Sequence, residues 1–222
     1  MFNSIGDILE LISSEDWESF RSNVLSEPTI YQNLAGAVAA CSALNGMTML
    51  HAAVRYNPPL DIIVRMVQLC PNSPSSRDCL HRTPLHVAAG SQASPLLIRL
   101  LAHAYPAACD ALDKDGKTPL HFACDSSCVL FEEDLYRTHT TERPSHDTIV
   151  TLLSYSLYPV MVKDHDGVSP QAYAIMSNAS KKTVELLRSS ARDVQLLDDR
   201  MTCVRSMQMQ SQRSDFAPCV IE

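Results

Sequence analysis

Aromatic side chains are scarce in this sequence, at 6% of 222 residues, and tryptophan occurs once. Apolar residues still make up 45% of the chain. A hydrophobic core can therefore form, but it must be built mainly from leucine, valine, isoleucine and alanine, which suit thin and closely stacked helices. The length fits one compact domain or one short repeat array.

Glycine is also rare, and its spacing excludes the commonest phosphate-binding loops. Only six glycines occur, and the closest two, Gly36 and Gly46, lie ten residues apart. Neither a GxGxxG nor a GxxxxGK[ST] loop can exist at that spacing. The nucleophile-elbow pattern GxSxG is absent as well. We therefore expect no cofactor, no small-molecule substrate and no enzymatic activity.

A basic cluster, a signal peptide and a membrane-length apolar run are also missing. The formal net charge is −7, so a nucleic-acid partner is not expected, because phosphate binding depends on lysine and arginine. The eight cysteines lie in apolar, helix-like segments, which favours a reducing compartment. We expect a cytoplasmic protein with no membrane association, with the nucleus as an alternative. The last four residues, from Cys219, fit the bare prenylation form, but the terminal glutamate lies outside the usual set.

A repeated segment is the main feature that is present. Threonine and histidine recur together every 35 residues, as Thr48 with His51, Thr83 with His86, and Thr118 with His121. A turn dipeptide that tolerates positive φ precedes two of these pairs, at residues 45–46 and 115–116. The threonine hydroxyl can cap a helix, and the proline that follows it at 84 and 119 fits the first helical position. Each short helix then leads through a turn to a second, more apolar helix.

The segments Thr83-Pro-Leu-His and Thr118-Pro-Leu-His, with alanine shortly after, resemble the ankyrin repeat. The resemblance implies an all-α ankyrin-repeat solenoid of about four repeats, each with a projecting turn, or finger, and two antiparallel helices. It also implies that the histidines bond to backbone and threonine groups within and between repeats. His81 stands where the turn expects glycine. Either the turn differs there, or His81 adopts a strained conformation.

The two ends of the chain predict helical caps on the array. Residues 1–42 form the N-terminal cap, in which 31–43 is a helix or a loop. Residues 43–188 hold the repeats, with a divergent fourth copy and an insertion near 125–146. Residues 189–222 hold a final helix over about 191–206 and a mobile tail from Met207. Val194, Leu197, Met201 and Val204 recur at helical spacing in that helix, which is expected to cover the last repeat.

In ankyrin-repeat proteins, partners usually bind the finger tips and the exposed face of the first helices. The resemblance therefore implies a scaffold or adaptor that binds another protein. Met47, Tyr56, Leu80 and Phe122 are large apolar residues at positions where the fold does not require them, which favours an exposed contact patch. Carried over by position, the expected partner-binding residues are Asn45, Met47, Arg55, Tyr56, Leu80, Arg82, Val87, Ser91, Lys117, Phe122, Asp125, Val168 and Tyr173.

The insertion is a second candidate surface. It mixes Leu130, Phe131 and Tyr136 with the acidic residues 132–134 and with several threonines. A partner or a phosphate group could order such a segment. A tolerated surface loop is the plainer interpretation.

A metal- or thiol-dependent enzyme is the alternative interpretation. His121, Cys124 and Cys128 fall at i, i+3 and i+7, with His139 and His146 in the insertion, and three such ligands on one face could hold zinc. The spacing matches no recognised zinc module, and the repeat already accounts for His121. We therefore expect no metal site.

Overall fold

The computed structural model describes residues 5–130 and 143–214, with side chains described as far as residue 202. Within that part the chain has eleven α-helices and no strand. A π-helical turn (Arg21–Leu25) continues α2. In chain order the helices are α1 (Ile5–Ser13), α2 (Trp17–Phe20), α3 (Pro28–Ala40), α4 (Met49–Val54), α5 (Leu60–Leu69), α6 (Pro84–Gly90), α7 (Pro95–Ala104), α8 (Pro119–Cys124), α9 (His146–Tyr155), α10 (Pro170–Met176) and α11 (Lys181–Ser214).

Successive helix pairs form the four repeats of an ankyrin solenoid. The pairs are α4 with α5, α6 with α7, α8 with α9, and α10 with the start of α11. In the first two repeats the second helix ends just before Cys70 and Tyr105. Each of these residues precedes a proline, which disfavours helical geometry at the residue before it. The insertion occupies the stretch between α8 and α9.

Threonine and histidine together cap the first helices. At α4, α6 and α8 the histidine Nδ1 accepts the threonine amide at 3.0–3.1 Å. The proton therefore lies on Nε2, which donates to the next repeat, from His51 to the Arg82 carbonyl at 3.0 Å and from His86 to the Lys117 carbonyl at 3.2 Å. The expected bonds within and between repeats are thus confirmed for these two histidines. Within the described residues, the Nε2 of His121 has no hydrogen-bond partner.

The finger turns each need one residue with positive φ. Glycine supplies it at positions 46, 116 and 167, each with φ +77°, whereas His81 adopts φ +60° in the second repeat. The second finger therefore keeps the turn, at a steric cost that glycine avoids. Backbone hydrogen bonds of 2.7–2.9 Å join neighbouring fingers, from the amides of Cys79, Lys114 and His165 to the carbonyls of Asn45, Leu80 and Asp115.

The N-terminal helices share one hydrophobic core with the repeats. Phe20, Val24 and Tyr31 are buried in the same cluster as Leu50 and Ile62 of the first repeat. The amide side chain of Gln32 donates to the Leu69 carbonyl at 3.3 Å and ties α3 to α5. Helix α3 also settles the helix-or-loop alternative for residues 31–43, since it covers most of that stretch.

The C-terminal helix differs from the prediction. The second helix of repeat four and the expected final helix are one continuous helix, α11, which runs to Ser214. A separate helix over 191–206 is therefore wrong, and residues 207–214 of the predicted tail are helical. The stretch from Lys181 to Ser214 contains no glycine or proline that could end a helix. Residues 215–222, which include Cys219, lie outside the described part.

The expected cover of the last repeat is also wrong for Leu197 and Met201. Both side chains are 56% exposed, whereas Thr183 and Leu187 of the same helix are fully buried. A helix advances 1.5 Å per residue, so the later turns of α11 extend past the edge of the repeat that the earlier turns cover.

Over the described residues, no single helix combines the length and apolarity of a membrane span. One bent pair, α3 with the helical stretch Ser42–Val54, meets that test by length and composition alone, with a 75° bend.

Candidate partner-binding surface

Five of the predicted binding residues line one cleft between the second and third fingers. The cleft has a volume of about 330 Å³, and these residues are Leu80, Arg82, Lys117, Phe122 and Asp125. The prediction missed the rest of the lining, which consists of Asp113, Asp115, Ser127, Cys128 and Val129. The structure thus brings together charged and apolar groups that lie almost 50 residues apart in the sequence.

The predicted residues of the first repeat do not line this cleft. Asn45 is exposed on the first finger, and Met47 is half-buried beside it. The guanidinium group of Arg55 lies 5.5 Å from the ring centre of Tyr56. Ser91, at the end of α6, donates its hydroxyl proton to a carbonyl of that helix at 3.2 Å. These residues form a neighbouring surface rather than part of the cleft.

Tyr173 of repeat four contacts Lys117, a residue of the third finger that lines the cleft. The ammonium group of Lys117 lies 4.7 Å from the ring centre of Tyr173, a cation–π distance. The Tyr173 hydroxyl donates to Asp164 at 2.7 Å. Burial opposes the charge on Lys117, but Tyr173, Asp125 and Cys128 together outweigh burial and raise the pKa of Lys117. Val168, the other residue predicted in this repeat, is partly buried.

Four predicted residues are buried, so their expected exposure is wrong. The exposed fractions are 6% for Arg82, 0% for Val87, 5% for Phe122 and 8% for Asp125. Val87 faces the hydrophobic core of the array. Arg82 and Phe122 lie beneath residues at the start of the insertion. The repeat pattern predicts no position for the insertion, so this burial could not be foreseen.

The residues above Arg82 and Phe122 are Ser126–Leu130, here called the covering segment. Its first amide, on Ser126, donates to the Ser177 hydroxyl of repeat four at 2.9 Å. Its last residue, Leu130, is only 6% exposed and belongs to the hydrophobic core. The segment therefore runs from repeat four back to repeat two across the first-helix face. The remaining insertion residues named above, Phe131 to the threonines near 140, and His139 with them, lie outside the described residues.

A buried ion pair fixes the position of Arg82. Its Nε and Nη2 atoms lie 2.8 and 2.7 Å from the Asp78 carboxylate. Its Nη1 donates to the Leu130 carbonyl at 2.7 Å. Arg82 therefore links the second finger to the covering segment.

An aspartate that was not among the predicted residues organises each of the last three fingers. These residues are Asp78, Asp113 and Asp164. In each, one carboxylate oxygen accepts hydrogen bonds from two backbone amides of its own turn, at 2.7–3.1 Å. Each lies five residues before the cap residue of its repeat. The repeat period could have revealed these residues, because they follow the same spacing as the threonines.

The alternative of a metal- or thiol-dependent enzyme finds no support. Among the residues that the structure describes, no group of three or more histidine, cysteine or acidic side chains is placed to hold a metal ion. The Nδ1 atom of His121 already accepts the Thr118 amide at 3.0 Å. Burial raises the pKa of Cys124, and it raises the pKa of Cys128 to about 12, which is opposite to the change that activates a thiol.

The comparisons with known proteins agree with the helix pairs and fingers. Residues 50–131 match the family model of ankyrin repeats, which represents three copies. The matched residues include all of α4 but its first residue, α5 to α8, and the cleft. No curated protein matches the chain. With their capped helix pairs and hydrogen-bonded fingers, residues 50–131 of this chain are ankyrin repeats.

Proposed function

We propose that this protein is an interaction scaffold that binds a partner protein at the cleft and the adjoining finger tips. Ankyrin repeats are in general protein–protein interaction modules. The proposal rests on one observation: Leu80 and Val129, each 43% exposed, line the cleft together with Lys117 and Asp115. Exposed apolar side chains bordered by charges are typical of a contact surface.

The charge of the chain favours a protein over a nucleic acid as the partner. Arg82 and Lys117 supply two positive charges to the cleft, and Asp113, Asp115 and Asp125 supply three negative ones. The whole chain carries a formal charge of −7. A phosphate backbone would meet repulsion here, whereas a folded partner can offer apolar and basic groups together.

The mechanism is recognition by a pre-formed surface, without bond chemistry. Ankyrin repeats typically have no catalytic activity of their own, and we propose the same for this chain. We also propose that it works in a reducing compartment, the cytoplasm or the nucleus. In support of that, Cys109 and Cys124 are packed in the core as small apolar side chains.

Site-specific photo-crosslinking in the native cell tests the proposed surface. A photoreactive residue replaces Leu80 on the finger or, as the matched control, Leu96 on α7, which is 54% exposed. We expect a discrete adduct from position 80 and none of the same mass from position 96. We also expect Leu80→Glu, but not Leu96→Glu, to reduce capture of that partner by at least about tenfold, as for loss of a central anchor.

Two outcomes contradict the proposal. In the first, no adduct forms at position 80 although the chain is folded by circular dichroism. In the second, both positions give the same adducts, which would indicate non-specific contact rather than a binding surface.

A further inference from the structure

Gly90 occupies a position where glycine is not needed by the backbone. It is the last residue of α6, and its φ is not positive. An added Cβ would lie 2.8 Å from Leu130 Cδ2 and 3.0 Å from Phe122 Cδ1. The missing side chain therefore leaves room for Leu130. Gly90 and Phe122 form a notch that fits one aliphatic side chain.

Arg82 adds a polar contact to this notch. It donates to the backbone carbonyl of the same residue, Leu130, whose side chain fills the notch. Its guanidinium group is held in place by Asp78 at the other side. One site thus recognises an aliphatic side chain and the carbonyl beside it, a combination that any extended peptide with a leucine can present.

Hydrogen bonds also hold the start of the covering segment. Ser126 is bonded to Ser177, and the Asp125 carboxylate accepts the Ser127 amide. Val129, between the anchored ends, is 43% exposed, and the cleft of about 330 Å³ is open beside it. The segment belongs to no helix and to no finger, so we expect the helix pairs to persist when it detaches.

We propose that Gly90, Phe122 and Arg82 form a binding notch for one aliphatic side chain and its backbone carbonyl, and that Leu130 fills it as an internal ligand. A partner segment of the same chemistry, extended and carrying a leucine-like residue, displaces Leu130 and continues into the cleft. This last step rests on the proposed function. The internal ligand lowers the affinity for such a partner, because only the fraction of molecules with an empty notch can bind it.

Thiol labelling tests the notch without any knowledge of the partner. Cys128 lies in the covering segment and is partly buried, whereas Cys124 lies in α8 and is fully buried. The full chain is treated with a maleimide, and mass spectrometry follows each cysteine. In Leu130→Ala we expect Cys128 to react at least about tenfold faster while Cys124 stays protected, as for a local opening. Val150→Ala, a change of the same kind at a 42% exposed position of α9, should behave as wild type.

Gly90→Ala tests the notch by filling it, whereas Leu130→Ala empties it. The new methyl group meets the end of the Leu130 side chain, so we expect Cys128 to become reactive as in Leu130→Ala. The fold should be retained, because alanine is the better helix residue. If Cys128 stays as protected as in wild type in either variant, Leu130 does not hold the segment. If Cys124 becomes reactive together with Cys128, the segment is part of the cooperative core. Either result overturns the proposal.

A short peptide tests displacement. Acetyl-Ser-Val-Leu-amide is added to the wild-type chain at a concentration on the order of millimolar, the range needed to compete with a tethered segment. We expect Cys128 labelling to accelerate, and we expect the same peptide with aspartate in place of leucine to have no effect. Equal rates with both peptides would overturn the displacement step. The crosslinking at Leu80 does not depend on this result, so the two proposals can fail separately.

Discussion

The repeat histidines show at the residue scale how one side chain supports two repeats. Burial lowers the pKa of His51 to about 4, of His86 to about 3 and of His121 to about 4. An ordinary histidine has a pKa of about 6.5, as it would in the unfolded chain. Between these values the unfolded state binds more protons than the folded state. The stability from these groups is therefore present above about pH 6.5 and is lost as the pH falls through 4 and towards 3.

We accordingly predict that the free energy of unfolding falls between pH 7 and pH 4. Each pKa unit of difference corresponds to about 1.4 kcal/mol, so three histidines can remove several kcal/mol. His86→Gln should be less stable than wild type at pH 7 but should lose less stability as the pH falls. His103→Gln, at an exposed position of α7, should be about as stable as wild type at pH 7. Urea unfolding at several pH values measures this, and parallel curves for His86→Gln and wild type would contradict it.

A second prediction concerns Phe122, whose exposure the sequence pattern misjudged. Its ring contacts His86 edge-on, with the ring centres 5.4 Å apart, and it is only 5% exposed. Phe122→Ala should therefore lower the free energy of unfolding by about 3–5 kcal/mol. Val129→Ala, at the exposed neighbour, should change it by less than about 0.5 kcal/mol. Denaturant titration of both variants checks this, and a Phe122→Ala chain as stable as wild type would mean that Phe122 is not a core residue.

At the scale of elements, the sequence predicts what short-range chemistry determines. Glycine, threonine and proline fix the glycine-containing fingers and the starts of α6 and α8 within a few residues, as predicted, whereas the turn at His81 could not be decided from the sequence. The positions of Arg82 and Phe122 were not, because they depend on the covering segment, which is brought back by the path of the insertion. Periodicity contains no information on such a contact. The absence of glycine and proline between Lys181 and Ser214 indicates a long α11. The prediction of a compact C-terminal cap divided that stretch into two helices instead.

Helix α11 allows a matched comparison of two leucines. Leu187 is fully buried against the fourth repeat, and Leu197, ten residues later, is 56% exposed. Leu187→Ala should cost about 2–5 kcal/mol, because it removes buried methyl groups and leaves a cavity. Leu197→Ala should change the stability by less than about 0.5 kcal/mol. Chemical denaturation of the two variants measures the difference. Equal losses would mean that the outer turns of α11 pack against the protein in solution.

At the scale of the whole molecule, the buried side chains form one continuous cluster. It includes Phe20 and Tyr31 of the N-terminal helices, residues of all four repeats, and Leu187 of α11. In repeat arrays each unit is stabilised chiefly by its neighbours, so that a short array with good interfaces unfolds as one unit. The N-terminal helices are therefore expected to take part in that unit rather than to unfold separately.

The single tryptophan makes this expectation testable. Trp17 lies in α2, with its ring 6.0 Å from that of Phe20, so its fluorescence reports the N-terminal helices, while far-ultraviolet circular dichroism reports all helices. We predict that the two signals change at the same denaturant concentration. Tyr31→Ala should shift both midpoints downwards together, because Tyr31 is 1% exposed, and Ile30→Ala, at a 42% exposed neighbour, should shift neither. A fluorescence transition that precedes the circular dichroism transition would show that the N-terminal helices fold independently of the repeats, since loss of their contacts would then leave the rest of the array in place.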